Sequence, residues 1–198
     1  MSSEGARHPR DEQGRILPAA DWPPGRAAPG DLELVRRFCN SLNRENGADR
    51  FAAADGFDAW LLSEGLPATR PNRDALAKIV AFREALHTIT VANQQKRPPA
   101  HAWAELADVV SEVTFQIRAR DGLDLVAVSP SRSMAFLGNL ALICQRAHSD
   151  GTLRRLKSCS HCEWTIYDAS KNQSGRWCSM NACGGRHNAR SYRQRKHR

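Results

Sequence analysis

The sequence predicts an α+β protein, with a mostly helical N-terminal domain that contains a small β-hairpin, followed by a small cysteine-containing module with a basic helix. Three observations support this prediction. Apolar residues recur at helical spacing through most of residues 31–150. Near residue 120 the period changes to the alternation typical of β-strands. Four of the six cysteines and all of the excess positive charge lie in the last quarter of the chain.

Composition divides the chain into three parts. Residues 1–29 are rich in Pro, Gly, Arg and acidic residues without apolar periodicity, so we expect a disordered N-terminal segment. Residues 31–150 are long enough for one packed domain. Residues 153–198 are too few for a sizeable core, and we expect them to need another source of stability.

Four helical segments are expected before the alternation begins. Asp31 is a suitable N-cap for the first, whose apolar residues recur from Leu34 to Leu42. The second spans about residues 52–64. Asn72 can cap the third, which carries a continuous apolar stripe, and a Pro-Pro pair precedes the fourth.

A β-hairpin and a fifth helix complete the first domain. Apolar residues alternate over residues 115–119 and 123–127, on either side of Asp121-Gly122, which predicts a hairpin with an Asp-Gly turn. The segment Ser129-Pro130-Ser131 is expected to open a longer helix that runs to about His148.

Positive charge is confined to the C-terminal part. From residue 153 onward there are eleven Lys or Arg against two acidic residues, a net charge of +9, so residues 1–152 carry −1 of the total of +8. Such asymmetry is typical of a nucleic-acid-binding segment joined to an ordinary domain. The alternative is a solvated, disordered basic tail, and the cysteines in the same segment argue against it.

The C-terminal cysteines form two close pairs with the spacing of a metal site. Two residues separate Cys159 from Cys162, four separate Cys178 from Cys183, and fifteen lie between the pairs. Each short turn can place two thiolates on one ion, and the spacer allows the second pair to complete a tetrahedron. Thiolates favour zinc, and four protein ligands leave no open position. We therefore predict one structural Zn²⁺ ion in a small zinc finger.

Other interpretations of individual cysteines stay open. His161 lies between the first two cysteines and could replace one as a ligand. A redox-active Cys-x-x-Cys is a further alternative, but it lacks a βαβ context and leaves the second pair unexplained. Cys39 and Cys144 lie on apolar helix faces, so we interpret them as small buried hydrophobic residues.

Aromatic residues flank the cysteines and are expected to pack around the metal, although an exposed tryptophan would instead suit base stacking. Asp168 is one of only two acidic residues in the segment. We expect it to hydrogen-bond the loop of Ser170 and Asn172 or to pair with an arginine. The expected small core consists of Trp164, Ile166, Tyr167 and Trp177.

The C-terminal residues predict a cationic helix. No acidic residue follows Cys183, and Arg186, Arg190 and Arg193 are spaced to share one helix face. Arginine outnumbers lysine five to one there, which suits bidentate contacts with phosphate or guanine. A membrane-surface helix would need an apolar face, which this segment lacks. The predicted nucleic-acid-binding residues are Lys171, Arg176, Arg186, Arg190, Arg193, Arg195 and Lys196.

The segment from Cys159 to Arg193 resembles the CGNR zinc finger. Gly185 stands where the family signature has Asn, and the first cysteine pair is tighter than the family's Cys-x4-Cys. The resemblance is carried by Cys162, Trp164, Asp168, Ser170, Asn172, Arg176, the run Trp177-Cys178-Ser179-Met180, Cys183-Gly184 and Arg186.

Upstream segments resemble the ABATE domain that usually precedes this finger. They are residues 34–43, the run Asp58-Ala59-Trp60-Leu61 and the run Phe82-Arg83-Glu84-Ala85-Leu86. The two resemblances together cover nearly all of residues 31–193. They imply a stress-induced transcription regulator that binds DNA.

Four functions remain in competition, the last of them a pure protein-interaction module. In the first, a DNA-binding regulator places the basic helix against duplex DNA, and the N-terminal domain senses a small-molecule effector or forms a homodimer. In the second, an RNA-binding or ribosome-associated finger exposes Trp164 or Trp177. The third is an enzyme, which we do not expect because no catalytic motif is present. The polar residues that could line a pocket are Asn40, Asn43, Arg83, Glu84 and His87, and each is more simply a surface or satisfied polar residue.

The sequence favours a cytoplasmic protein. No apolar run approaches the ~18 residues that cross a bilayer. Residues 1–29 contain charges of both signs and no apolar core of a signal peptide.

Overall fold

The computed structural model describes residues 26–119 and 122–196. These ranges contain six α-helices and three two-stranded antiparallel sheets. About 53% of the described residues are helical when the 3-10 and π-helical turns are included, which confirms the predicted mostly helical α+β class.

The first domain contains five of the helices and two of the sheets. In chain order its elements are α1 (Leu32–Cys39), β1 (Leu42–Asn43), β2 (Ala48–Asp49), α2 (Ala54–Ser63), α3 (Arg73–Gln95), α4 (Ala100–Val109), β3 (Thr114–Ala119), β4 (Leu123–Val128) and α5 (Arg132–Ser149). The C-terminal module consists of a 3-10 turn (Leu153–Arg155), β5 (Leu156–Ser158), β6 (Thr165–Tyr167), a π-helical turn (Met180–Gly184) and α6 (Gly185–Lys196).

Side-chain caps fix the starts of the two longest helices. The Asn72 side chain accepts a hydrogen bond from the Ala75 N–H at 2.8 Å, as the sequence predicts. Ser131 caps α5 in the same way by accepting from Met134. Asp31 precedes α1 as expected, but its side chain forms no capping hydrogen bond.

The helical spacing that extends to Leu42 overestimates the length of α1. The helix ends at Cys39, and Leu42 pairs with Asp49 in the β1–β2 hairpin. Gly47 closes this hairpin with a φ of +76°, a conformation that glycine adopts without steric cost. The helical interpretation of Leu42 is therefore wrong, because the glycine turn reverses the chain.

An aromatic cluster forms the centre of the first domain. The Phe38 ring on α1 lies 5.4 Å from the ring of Phe51, 5.7 Å from that of Trp60 and 6.2 Å from that of Phe82, measured between centroids. All four side chains are buried. Because such rings bury large apolar areas, this cluster holds α1, α2 and α3 together.

The β3–β4 hairpin is present as predicted, with Asp121 of its expected turn lying outside the described residues. Ile117 faces Leu125 and Phe115 faces Ala127, so these apolar side chains share one face. Ala127 packs against the core, whereas the rest of that face is exposed to solvent, with Ile117 71% and Leu125 48% accessible.

The C-terminal module packs along the first domain. Strand β5 lies against α3, and β6 contacts α1. The carbonyl oxygen of Arg26 accepts a hydrogen bond from the Tyr167 N–H at 3.1 Å, and Ala28 is buried. Residues 26–29 of the segment expected to be disordered thus contact both domains, and residues 1–25 lie outside the described part.

Candidate metal centre and cationic helix

Four cysteine sulfur atoms converge on one point in the C-terminal module. Those of Cys159, Cys162, Cys178 and Cys183 all lie within 4.8 Å of one another, and all four residues are buried. The Cys162–Cys178 and Cys178–Cys183 sulfur pairs are 3.6 and 3.5 Å apart. Tetrahedral zinc with bonds of about 2.3 Å requires sulfur separations of about 3.8 Å. The cluster therefore fits one zinc ion with four thiolate ligands.

The β5–β6 hairpin positions the first pair of ligands. Cys159 directly follows β5, and its N–H donates to the Trp164 carbonyl at 2.8 Å. The Glu163 N–H donates to the Cys159 carbonyl at 3.0 Å, and Glu163 has a φ of +60°. This turn folds Cys162 back beside Cys159. Two intervening residues are therefore enough to place both sulfur atoms at the same site.

The second pair reaches the site through a loop and a short π-helical turn. The Ser160 N–H donates to the Arg176 carbonyl at 2.9 Å, which places the residues before Cys178 against the first turn. Ser179 then caps the π-helical turn that carries Cys183. Cys183 therefore lies immediately before α6, and the metal site fixes where that helix begins.

A small apolar core surrounds the cluster, largely as predicted. Trp164 and Ile166 are buried against the cysteines, and Trp177 packs there half-buried under the guanidinium of Arg176. Tyr167 is the exception, because it packs against the core of the first domain. The predicted place of Tyr167 at the metal is therefore wrong, since β6 packs against α1.

Neither alternative ligand chemistry gains support from the structure. His161 is exposed, and the metal-binding cluster found among the described residues consists of the four cysteines. All four sulfur atoms converge on one point, which accounts for the second pair of cysteines that a redox-active Cys159-x-x-Cys162 leaves unexplained.

Asp168 is fully buried beneath the finger. Its carboxylate accepts hydrogen bonds from Lys157 Nζ at 2.8 Å, from the Gly175 N–H at 2.8 Å and from the Ser170 N–H at 3.1 Å. Burial raises the pKa of this carboxyl group, but the hydrogen bonds outweigh burial and lower the pKa to about 2. The predicted contact with Ser170 is confirmed. The charged partner is Lys157 on β5, in place of the predicted arginine.

The cationic helix α6 projects from the metal centre. None of its residues is buried, and Tyr192 is 61% exposed. An isolated helix of this length is only marginally stable in water, so its attachment at Cys183 and a partner for its charges are the available sources of order. Its positively charged residues are Arg186, Arg190, Arg193, Arg195 and Lys196.

The seven residues predicted to bind nucleic acid fall into two groups. Five lie on α6, while Lys171 and Arg176 lie in the loop between β6 and Cys178 and are exposed. Arg186 differs from the others because it forms an ion pair of 2.8 Å with Glu45, in the turn between β1 and β2. The first domain therefore contacts the root of the cationic helix.

Polar contacts between the two domains were not predicted from the sequence. Asn40 donates to the Thr165 carbonyl at 2.9 Å and accepts from the Thr165 N–H at 2.8 Å. His87 Nε2 lies 3.2 Å from the Glu163 carbonyl. Asn93 donates to two carbonyls of the segment 153–156. The sequence feature that could have indicated such contacts is a polar residue on an otherwise apolar helix face.

The polar residues considered for an enzyme pocket have structural partners instead. Arg83 forms two hydrogen bonds with Asp49, at 2.5 and 2.8 Å, and a third with Glu84. Cys39 and Cys144 are buried as predicted, and burial raises the pKa of both thiols. Burial therefore keeps both thiols protonated and unreactive.

Comparison with known proteins identifies both parts of the chain. Residues 155–196 match the CGNR zinc finger, and residues 32–148, more than half of the chain, match the ABATE family, described as "Putative stress-induced transcription regulator". No curated protein matches the chain. Among the described residues no helix has the length and apolar character needed to span a membrane. The chain belongs to the ABATE family and carries a CGNR zinc finger at its C-terminal end.

Proposed function

We propose that the chain is a zinc-dependent, DNA-binding transcription regulator that contacts duplex DNA with α6. The observation that carries this proposal is the projection of α6, with five positive charges and no buried residue, directly from the metal ligand Cys183. The positive charges of such a helix repel one another, and the helix gains stability when phosphates neutralise them. The family description of a transcription regulator supports the same function.

The shape of α6 suits the major groove, which accepts one α-helix. Arg190 and Arg193 are exposed and face neighbouring positions on the helix surface. Arginine can bind phosphate or guanine with two parallel hydrogen bonds. Zinc supplies the rigid base from which these side chains extend.

Binding to duplex DNA fragments at increasing salt tests the proposal. If four to six phosphates are neutralised, log affinity should fall against log salt with a slope of roughly −4 to −5. The double variant Arg190→Gln/Arg193→Gln should reduce the slope by about 2. The matched control, Arg73→Gln/Arg132→Gln, removes the same charge from exposed sites on the first domain and should bind like the wild type. Affinity independent of salt would refute DNA binding through α6.

An RNA-binding function is the alternative. Trp164, whose exposure would have favoured it, is buried, and Trp177 is half-buried. The decisive measurement is competition between duplex DNA and structured RNA of equal length for the same labelled protein. Stronger displacement by RNA would replace the DNA proposal.

We further propose that the β3–β4 hairpin joins two copies of the chain. Strand β4 packs on α5 near Ala127 and Gly138, but the rest of the hairpin's apolar face is exposed. On its other face Arg118 lies opposite Asp124, so charge does not oppose self-association. The double variant Ile117→Thr/Leu125→Thr should convert a dimer to a monomer in analytical ultracentrifugation. A wild-type chain that is monomeric at high concentration would exclude this interface.

A cavity between α4 and α5 is the candidate binding site for the effector proposed for the first domain. The cavity measures about 350 Å³, within the range of small-ligand sites, and its lining is mainly apolar. Trp103 lines it, so binding of a small apolar molecule should change tryptophan fluorescence. Loss of that response in Trp103→Phe, with binding otherwise retained, would assign the signal to this cavity. No response to any apolar compound tested would argue against an effector there.

A further inference from the structure

A polar cleft separates the end of α3 from the loop of the finger. It consists of two adjoining cavities of about 310 and 510 Å³, which share Lys96, Lys157 and Gln173 in their walls. Neither domain forms the cleft alone, because Lys96 belongs to the end of α3 and Gln173 to the finger. The cleft lies outside the metal ligands and outside α6.

Positive charge dominates the walls of this cleft. Lys96, Arg97, Arg154 and Arg176 line it together with Lys157, and no carboxylate is among the described lining residues. Lys96 and Arg97 come from residues 1–152, which carry a net charge of −1 in total, and the other three cations come from the finger. The remaining lining groups are amides, hydroxyls and backbone, which can donate hydrogen bonds to an anion.

Four of the five cations are available to a ligand. Lys157 is already neutralised by Asp168 at 2.8 Å. Lys96, Arg97, Arg154 and Arg176 form no ion pair with a carboxylate of residues 26–119 or 122–196, and all four are exposed. Four unpaired positive charges around one concave space repel one another, and an anion relieves that repulsion.

The end of α3 contributes an opposing but smaller effect. Carbonyl groups at a helix C-terminus carry about half a negative charge in total. The Lys96 and Arg97 N–H groups donate to the carbonyls of Asn93 and Ala92, at 3.3 and 3.0 Å, and so satisfy two of them. Four full positive charges therefore attract an anion more strongly than the partial negative charge at the helix end repels it.

We propose that this cleft binds phosphate. Arginine and lysine on opposite walls match the charge and the several acceptor oxygens of a phosphate group. The phosphate belongs either to a small polyphosphate molecule or to the backbone of bound nucleic acid. The second source rests on the proposed function, and the first does not. In both cases the ligand bridges α3 and the finger and holds the two domains together.

The test uses the full-length zinc-loaded chain and the double variant Lys96→Asn/Arg154→Gln. Asn tolerates the left-handed backbone of Lys96, where φ is +54°. The Arg73→Gln/Arg132→Gln variant is the charge-matched control. Calorimetric titration with inorganic pyrophosphate at constant ionic strength measures the first source, with sulfate as a competing anion and zinc content checked afterwards. Duplex DNA binding against salt measures the second.

Two results would support the cleft. Pyrophosphate binding that weakens at least tenfold in the cleft variant, but not in the control, assigns a small polyphosphate. Absent pyrophosphate binding, with a salt slope for DNA reduced by about 2 in the cleft variant only, assigns the nucleic-acid backbone.

Unchanged behaviour of the cleft variant in both titrations would overturn the inference. The variant Arg190→Gln/Arg193→Gln separates this failure from that of the proposed function. If only that variant loses DNA affinity, and pyrophosphate binding is also unchanged in the cleft variant, the cleft does not bind phosphate and DNA binding by α6 stands. If the wild type binds no nucleic acid, the proposed function fails. The pyrophosphate titration alone then tests whether the cleft binds phosphate.

Discussion

Asp168 and Lys157 form the most enclosed ion pair of the finger, with 0% and 4% of their side chains exposed. The aspartate also accepts backbone hydrogen bonds from the loop that precedes Cys178, including that of Gly175. Removing one partner of a buried ion pair destabilises the folded state far more than removing a charge at the surface, because the other charge stays buried without a counter-charge. This pair therefore joins strand β5 to the loop that brings the second pair of metal ligands into place.

Asp168→Asn should destabilise the chain by about 3–5 kcal/mol, because Lys157 would remain buried without a counter-charge. Because the pKa of Asp168 is lowered to about 2, its contribution is present above the ordinary value of 3.8 and is lost as the pH falls towards 2. Urea unfolding in the presence of zinc measures the loss. Ser170→Ala, which removes one hydrogen bond to the same carboxylate, should cost about 1 kcal/mol. Equal effects of the two variants would contradict this role.

His87 predicts a second pH dependence. Burial, followed by the positive charge of Arg44, lowers the pKa of His87 from 6.5 to about 4. The unfolded chain therefore binds a proton more readily, so stability should fall as the pH drops from about 6.5 to about 4 and stay complete above that window. His87→Gln should flatten the pH profile of the melting temperature in this window. An unchanged profile would show that other groups cause the dependence.

At the scale of elements, the β5–β6 hairpin, the π-helical turn and α6 form one unit around the metal. The strands supply the first two ligands, and the turn supplies Cys183 directly before α6. A Cβ at Gly184 would lie 2.9 Å from the sulfur of the exposed Met180 side chain, which can shift, and 3.2 Å from the Trp177 ring. Gly185 is less constrained, since its backbone is helical and a Cβ would meet only one oxygen at 3.4 Å. An Asn at position 185, as in the family signature, is therefore compatible with this backbone.

Cys183→Ser should abolish stoichiometric zinc binding and disorder α6, because the fourth ligand anchors its first turn. Metal analysis and circular dichroism of the purified chain measure both effects. Cys144→Ala is the matched control, since Cys144 is buried in the first domain next to the apolar cavity. It should retain one zinc ion per chain. Full helix content in zinc-free Cys183→Ser would show that α6 is independent of the metal.

At the scale of the whole molecule, the finger is attached to the first domain through buried polar contacts. Asn40 binds both backbone groups of Thr165, and His87 and Asn93 contact carbonyls of the finger. Leu153 and Leu156 extend the core of the first domain to the same boundary. A shared boundary of this kind couples the folding of the two parts, so the metal stabilises more than the finger.

Removal of zinc should therefore lower the melting temperature of the first domain as well as that of the finger. Asn40→Ala should weaken this coupling, because it leaves two buried backbone groups of Thr165 without Asn40, at about 1–3 kcal/mol each. Scanning calorimetry should then resolve two transitions where the wild type shows one. Asn188→Ala on exposed α6 serves as the control. One unchanged transition in Asn40→Ala would show that the apolar contacts suffice for coupling.

Short-range patterns in the sequence predicted many of the local features of this structure. The spacing of four cysteines predicted the ligand set, Asn72 and Ser131 predicted helix starts, and alternation predicted the β3–β4 hairpin. These features depend on residues close together in the chain, where turn and strand geometry leave few choices. The place of Tyr167 was wrong because the face of a three-residue strand depends on what it packs against.

Only the tertiary structure decided which distant residues meet. Lys157 rather than an arginine pairs with Asp168, Glu45 contacts Arg186, and the cations of the cleft come together from residues 96–97, 154 and 176. The sequence by itself determined the metal ligands and the location of the excess charge, because both follow from composition and short-range spacing. The contacts between finger and first domain depend on how the helices pack, and no local pattern of a single chain specifies that arrangement.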